Sequence, residues 1–542
     1  MTQNTHEIKL KSERRNYLIG PRKIEGVKPM SSESINQTLK MLGIDVVRQI
    51  NAIQTLSSDE DNSIVIASIE ADRAKLLMQT MPEQLVITED KPLTYGDILP
   101  APELSTLSLE TDPIVQKFQF RILGEENKPL SDVKVELAGD GFPTGGLTDN
   151  KGEIELEYKT LNNPKPPRFL RAVAPNSYWE VFLENPELSS NSINTLKLSS
   201  LSETINGFPQ KIEFGYGQRL MGLDQIPKEK RTGAGVKIAI IDSGCDISHP
   251  MLKHIKYGRN FSISDPDVNN WNKDKAGHGT HCAGIITAYS NDNSFLNGFA
   301  PNAEIHILRI FAGEEQGYGN LIEALNYCIE NQIDVINMSL GVDSGSNYFV
   351  EQKLELATKN GIACIAAAGN KIGGRVFYPA SSPYTLSVAA IGSLKDVQPY
   401  TWDSTNIQPE FTTNDGIFIP SFSCSGPEID VCGPGVGIIS TYLNGSFKPE
   451  SGTSMAAPHI TGLAALLLAH NPIFKTQFHE RNQERVQQLF NLIRSHCKTY
   501  PLDSTRIGTG LPYSNSLIET AQPLSFEQPF FTYSNGYNEK QL

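Results

Sequence analysis

From about residue 215 onward, near-continuous apolar runs alternate with segments of helical period. The runs are VKIAIID (236–242), AEIHILRIF (303–311), DVINMSL (334–340), IACIAAAG (362–369) and LSVAAIG (386–392). Strands covered on both faces read this way, so the runs predict a mostly parallel sheet. Between them, LIEALNYCIENQ (321–332) and FVEQKLELATKNG (349–361) repeat apolar residues at helical spacing, and the second stops at Gly361 as helix C-termini do. Strand and helix in alternation predict a three-layer α/β domain over residues 215–500.

The preceding chain follows other periods. Over 113–200, Phe118, Phe120 and Ile122, then Val133, Val135 and Leu137, then Ile154, Leu156 and Tyr158 alternate with polar residues. Turn chemistry in GEENKPLSD and LTDNKGE separates these runs, which predicts an antiparallel β-sandwich. Residues 31–95 predict a small α+β unit: a helix in SSESINQTLKML, strands at 45–50, 63–70 and 85–89, and a second helix in ADRAKLLMQT. Residues 96–112 form a Pro-containing linker, 1–30 an N-terminal extension, and 501–542 a C-terminal tail without clear periodicity.

The chain has 542 residues, of which 20% are charged and 39% apolar, a globular composition spread over several domains. Its formal net charge of −14 argues against nucleic acid and anionic membrane as partners. The first residues never build the apolar run of a secretory leader, and the longest apolar stretch, Leu463 to Ala469, is far below the ~20 residues of a membrane span. Seven scattered cysteines without CxxC spacing fit reduced thiols, so a cytoplasmic location is expected.

Three motifs carry chemistry. Asp242 ends an apolar strand in IIDSG, at the sheet edge where open α/β folds place their sites. GHGTHCAG puts His278 ahead of a helical run, and SGTSMAAPH puts Ser454 where a glycine-bearing loop opens into the apolar helix GLAALLLA. A serine hydroxyl attacks a carbonyl only if a base takes its proton and an acceptor holds that base in one tautomer. Asp242, His278 and Ser454 supply acceptor, base and nucleophile, and Asn370, after IACIAAAG, supplies an oxyanion donor.

With IIDSGCDISHP, GHGTHCAG, NMSLG, AAAGN, SFSCSGPEIDVCGPG and SGTSMAAPHITG in this order, residues 215–475 resemble the subtilisin-like serine proteases, the subtilases. The Asp, His, Ser order is the one given for that family in general accounts of the triad. The resemblance implies that Asp242 orients His278, that His278 is the general base of Ser454, and that Asn370 and the Ser454 amide form the oxyanion hole. It further implies that Ser339, Leu340 and Gly341 pair with an extended peptide substrate, with Phe377 on the floor of the main specificity pocket and Lys371 at its rim. Cleavage after small or acidic residues is then expected. Cys282 is placed near His278, as in thiol-bearing members of the family.

No cofactor is needed for this chemistry. A structural calcium is the one ion the resemblance brings into question, because Met251 stands where an acidic ligand follows His249 and Pro250 in the family. The loop SNDNSFLNG (290–298) keeps the look of the other half of that site. Residues between Ile391 and Ile419, including TWDSTNIQPEFTTNDG, form an insertion that is expected to shape substrate access or bind a partner. The 31–95 unit resembles the inhibitory propeptides of subtilases, and the β-sandwich resembles carboxypeptidase-regulatory-like modules.

The chain is therefore read as a serine endopeptidase acting on peptide or protein substrates, held latent by its N-terminal region, with a regulatory protein as a further partner of those domains. A peptide ligase or macrocyclase on the same scaffold and a catalytically silent binding protein are the competing readings.

Overall fold

The computed structural model describes residues 13–24, 29–53, 63–80, 84–95, 113–161, 163–210, 213–290, 296–312, 316–514 and 518. The linker 96–112, the middle of the Asn-rich loop, the start of the N-terminal extension and most of the tail beyond 514 lie outside the described residues.

The N-terminal unit is a four-stranded antiparallel sheet. Its strands are β1 (Arg14–Pro21), β2 (Asp45–Ile50), β3 (Ile64–Glu70) and β4 (Leu85–Glu89), in the order β2-β3-β1-β4. The expected boundary at residue 31 is corrected: β1, placed in the extension by the sequence reading, pairs with both β3 and β4. Its charged start, RRN, is exposed or half-buried, and only YLIGP is buried. Helices α1 (Ser32–Met41) and α2 (Ala71–Thr80) cover one face, where Ile35, Leu39, Ala74 and Leu77 meet Tyr17, Ile19, Val65 and Ala67. On the other face Leu18, Ile64, Ile66 and Val86 join the core of the C-terminal domain.

The second unit packs two sheets around one core of Phe118, Phe120, Val135, Leu137, Tyr158 and Leu170. One sheet is ordered β10-β9-β6-β7, from β6 (Lys134–Ala138), β7 (Thr144–Leu147), β9 (Phe169–Val173) and β10 (Val181–Glu184); the other is β11-β5-β8, from β5 (Ile114–Leu123), β8 (Glu153–Thr160) and β11 (Asn194–Lys197). The expectation of a wholly antiparallel sandwich is corrected at β11, which runs parallel to β5. Five strands separate these two in sequence, so no hairpin turn dictates their relative direction.

The C-terminal domain is built on an eight-stranded sheet. Strands β12 (Lys237–Asp242), β13 (Tyr257–Asn260), β14 (Glu304–Arg309), β15 (Val335–Met338), β16 (Ala363–Ala367) and β17 (Thr385–Ser393) are parallel, in the order β13-β14-β12-β15-β16-β17. Next to β17, β18 (Ile417–Phe418) is antiparallel and β19 (Val431–Pro434) parallel. Helices α3 (His278–Thr287) and α6 (Thr453–His470) pack on each other, as do α4 (Tyr318–Glu330) and α5 (Tyr348–Lys359). Every residue of α6 from Thr453 to Ala469 is buried, which is why its sequence is apolar all round. The hairpin β20 (Ile438–Tyr442) and β21 (Ser446–Glu450) leads into α6.

Residues 501–514, assigned to the tail by the sequence reading, belong to this domain: β22 (Cys497–Lys498) pairs with β23 (Leu511–Pro512), and Leu511 and Ser514 are fully buried. The insertion after β17 binds within the chain. Its short helix Trp402–Thr405 meets the two-sheet unit through the Phe182–Trp402 ring contact, Phe182 N–H to Tyr400 O (2.6 Å) and Trp402 N–H to Glu180 Oε1 (3.1 Å). Among the described residues no helix is long and apolar enough to cross a membrane.

Candidate active site

The site lies at the C-terminal edge of the parallel sheet. Asp242 is the last residue of β12 and is fully buried, and His278 is the first residue of α3. Their approach depends on the glycines around the histidine: Gly277 caps α3 at φ +83°, and a Cβ on Gly279 would collide with the Gly244 carbonyl. His278 Nδ1 is 2.8 Å from Asp242 Oδ1 and 3.0 Å from Oδ2, so Nδ1 carries the hydrogen and Nε2 is left for other chemistry. Among the described residues Nε2 has no hydrogen-bond partner.

Burial alone would lower the His278 pKa. The charge and hydrogen bond of Asp242, with Glu450 and Asp274 behind them, outweigh it and hold the imidazole above its ordinary value. Glu450 acts as an anion here: burial raises it, but Lys448 at 3.1 Å takes it below the ordinary carboxylate value.

Ser454 is the second residue of α6, at the helix's positive end. Its hydroxyl donates to the Ser339 carbonyl (3.3 Å), while Ser339 Oγ donates back to the Ser454 carbonyl (2.8 Å). The Ser454 hydroxyl is thus engaged with the carbonyl just after β15. Asn370 Oδ1 accepts from both Thr453 N–H (2.8 Å) and Thr453 Oγ1 (2.9 Å). An amide N–H can only donate, so Oδ1 is fixed there and the Nδ2 donor is turned away, toward Gly452 at the nucleophile turn.

The Cys282 thiol forms with Asp242 and His278 a group whose ligand atoms all lie within 4.8 Å of one another, and it donates to Ser454 O at 3.5 Å. Burial pushes this thiol far up, so it is a neutral filler and not a nucleophile. The Asp–His half of that group is already engaged in its own hydrogen bond, and no metal is assigned to it. At the family's calcium position, Met251 is 6% exposed and lies in the core, its side chain without an oxygen and its carbonyl taken by Tyr289 N–H (3.1 Å), so this residue does not fit that ion.

Two contributors were missed by sequence reasoning. Asp274 caps α3, accepting from Gly277 N–H (2.9 Å), Thr280 N–H (2.9 Å) and Thr280 Oγ1 (2.7 Å); its place just ahead of the helix was the available signal. Glu450 carried none, because its burial arises from the hairpin β20–β21.

The cleft beside Ser454 is filled by this chain. Thr94 pairs with Gly341 in both directions (2.9 Å each), Leu93 N–H donates to Gln316 O (2.8 Å), and Pro92 bridges Gly317. Residues 92–95 therefore lie antiparallel, through two isolated bridges, between the segment 316–317 and Gly341. Tyr95 lies against the His278 ring, centroids 5.1 Å apart, and Asp90 accepts from Gly319 N–H (3.0 Å) at the start of α4.

Phe377 sits between Gly341 and Gly369: a Cβ on Gly369 would stand 2.6 Å from its ring, and one on Gly341 3.1 Å from its Cβ. Its N–H donates to Ala368 O (2.8 Å). Lys371, expected as an uncompensated charge, is ion-paired with Asp343, which also faces Arg375 at 3.7 Å. Asp343 arrives from the loop after β15, remote in sequence, and reduces the charge of a rim that keeps two cations to one carboxylate.

A model of the subtilase family matches residues 233–495. The chain is 34% identical over 290 residues to subtilisin E of Bacillus subtilis strain 168, covering 52% of this chain and 68% of that protein. It is 30% identical over 340 residues to the major intracellular serine protease of the same strain, covering 59% and 97%. Subtilisin of Bacillus pumilus is 35% identical over 268 residues, covering 48% and 86%.

Proposed function

Because the chain belongs to the subtilase family and is a subtilisin-like serine protease, we propose that Asp242, His278, Ser454 and Asn370 perform its chemistry. Ser454 Oγ turns from Ser339 O to His278 Nε2, gives up its proton there and attacks the scissile carbonyl. The oxyanion accepts from Asn370 Nδ2 and the Ser454 N–H at the start of α6. His278 returns the proton to the departing amine as the C–N bond breaks, and water cleaves the acyl-enzyme by the same sequence. The observation that carries this reading is the buried Asp242–His278 pair, bonded at 2.8 Å with Nε2 left unpartnered. A fluorophosphonate probe should label the protein and spare Ser454→Ala, which should also lose peptide hydrolysis; equal labelling of the two would sink the assignment.

The N-terminal unit is read as a propeptide-type inhibitor in place. Support comes from segment 92–95, which holds Gly341 by the backbone pairing expected of a substrate and lays Tyr95 on His278. The pocket preference is for small residues. Phe377 occupies the space a large side chain would need, and two residues beyond Thr94 in the sequence stands Gly96. The two-sheet unit is read as a carboxypeptidase-regulatory-like module, from PLSDVKVEL and TDNKGEIEL. No structural calcium is assigned to the Met251 position. A cytoplasmic place of action is supported by seven cysteines all free of disulfides and by the matched intracellular protease.

A further inference from the structure

The substrate-like segment runs from Leu93 to Tyr95 against His278, and a cavity of about 360 Å3 lined by both Tyr95 and His278 opens there. Part of its lining is catalytic-domain surface: His278, Met455 just after the nucleophile, and Glu450 at the end of β21. The facing wall comes from the two-sheet unit, through Arg171, Val173, Tyr178 and Trp179. Strand alternation explains which residues are presented. Leu170 and Ala172 point into the unit's own core, so Arg171 and Val173 stand on the opposite face of β9, where Arg171 is paired across the ladder with Phe182. That face is clamped to the peptidase by the Phe182–Trp402 contact and by Ser177 N–H to Phe447 O (2.8 Å).

We propose that the two-sheet unit is a structural part of the substrate cleft, and that its β9 face forms the wall that binds substrate residues following the scissile bond. This rests on the peptidase reading above. The cavity lies within the ~300–1,000 Å3 range of ligand clefts and takes a short stretch of polypeptide. Its cations are already matched, Arg171 with Glu180 (2.8 Å) and Glu136 (3.6 Å) and Lys448 with Glu450 (3.1 Å), and burial favours the neutral form of Asp403, which also lines it. On the two-sheet side the uncharged lining is apolar or aromatic, from Val173, Ala174, Tyr178 and Trp179, and the buried Trp402 indole N–H has no hydrogen-bond partner among the described residues, a donor suited to a substrate carbonyl. The wall therefore favours apolar or aromatic side chains after the cut over charged ones.

The test uses the full chain carrying Thr94→Pro, which removes the N–H that Thr94 donates to Gly341 and loosens the cleft-filling segment. Two substrates share the residues before the scissile bond: a methyl ester with nothing beyond it, and a peptide continuing for three residues. Val173→Phe, which fills the cavity from the two-sheet side, should lower the ratio of kcat/KM for the long peptide to that for the ester at least tenfold. Should that variant fail to fold, Val173→Ala serves: it should raise the ratio for peptides with Trp after the cut relative to those with Gly. Ratios unchanged from the Thr94→Pro parent overturn the wall but leave the peptidase reading standing. A parent that hydrolyses neither substrate and takes up no fluorophosphonate label overturns both.

Discussion

Asn370 is committed to one orientation by two donors from Thr453, so its Nδ2 is positioned before any substrate arrives. Asn370→Ala is expected to lower kcat by about 100-fold to 1,000-fold with a small change in KM, a magnitude taken from the general subtilisin example of losing an oxyanion donor. Steady-state kinetics on a peptide amide checks it, and a loss confined to KM would move Asn370 out of the oxyanion role. Phe377 acts by volume. Its ring takes the space between Gly341 and Gly369, so Phe377→Gly should shift the preferred residue before the cut from small to large apolar side chains. Library profiling reads this directly; a variant still restricted to small residues would mean the pocket floor lies elsewhere. Lys371 is expected to matter less, since Asp343 already compensates it at an exposed position.

At the scale of elements, the N-terminal sheet is buried on two sides by different partners. Four outer-face residues, Leu18, Ile64, Ile66 and Val86, enter the peptidase core, each worth about 1.5–3 kcal/mol on full burial. Polar contacts fix the register of that docking: Arg48 pairs with Glu323 and donates to Asn320 Oδ1 (2.9 Å) on α4, and Asn347 donates to Thr88 Oγ1 (3.1 Å). In the proposed inhibitory role the apolar face supplies adhesion and segment 92–95 supplies occlusion. Thr94→Pro should therefore raise the peptidase activity of the full chain tenfold or more while the unit stays docked. Activity equal to that of the parent, in a chain that still labels at Ser454, would show that the segment does not restrain the enzyme.

For the whole molecule, the contact between the two-sheet unit and the insertion carries a buried acid. Burial raises the Asp403 pKa to about 7, and Glu180 adds to it against the opposing effects of Ser451 and Arg171. The folded chain keeps this proton between about pH 4 and 7 while the unfolded chain has released it. Stability from this group is therefore full below about pH 4 and is lost as pH rises through about 7. Asp403→Asn, neutral at every pH, should gain most melting temperature over the parent at pH 8 and clearly less at pH 5. A difference of the same size at both pH values would remove Asp403 ionisation from the stability of this contact.

Local chemistry was legible in the chain. The apolar runs of β12, β14, β15, β16 and β17 announced two-sided burial, and the glycines around His278 and Ser454 marked turns where only small residues fit. The run IVIASIE also carried a second message: it is buried nearly throughout because the N-terminal sheet is covered on both faces, although nothing in the run names the covering partner. Period and motif depend on each residue's own neighbours, so the sequence by itself determined the α/β class of the C-terminal domain and singled out Asp242, His278 and Ser454 as its candidate triad. The compensation of Lys371 by Asp343, the place of β1 between β3 and β4, the segment 92–95 laid in the cleft and the wall of β9 each join residues distant in the chain. Only the tertiary structure decided these, because such contacts depend on how faces meet in space and leave no period or spacing in either partner.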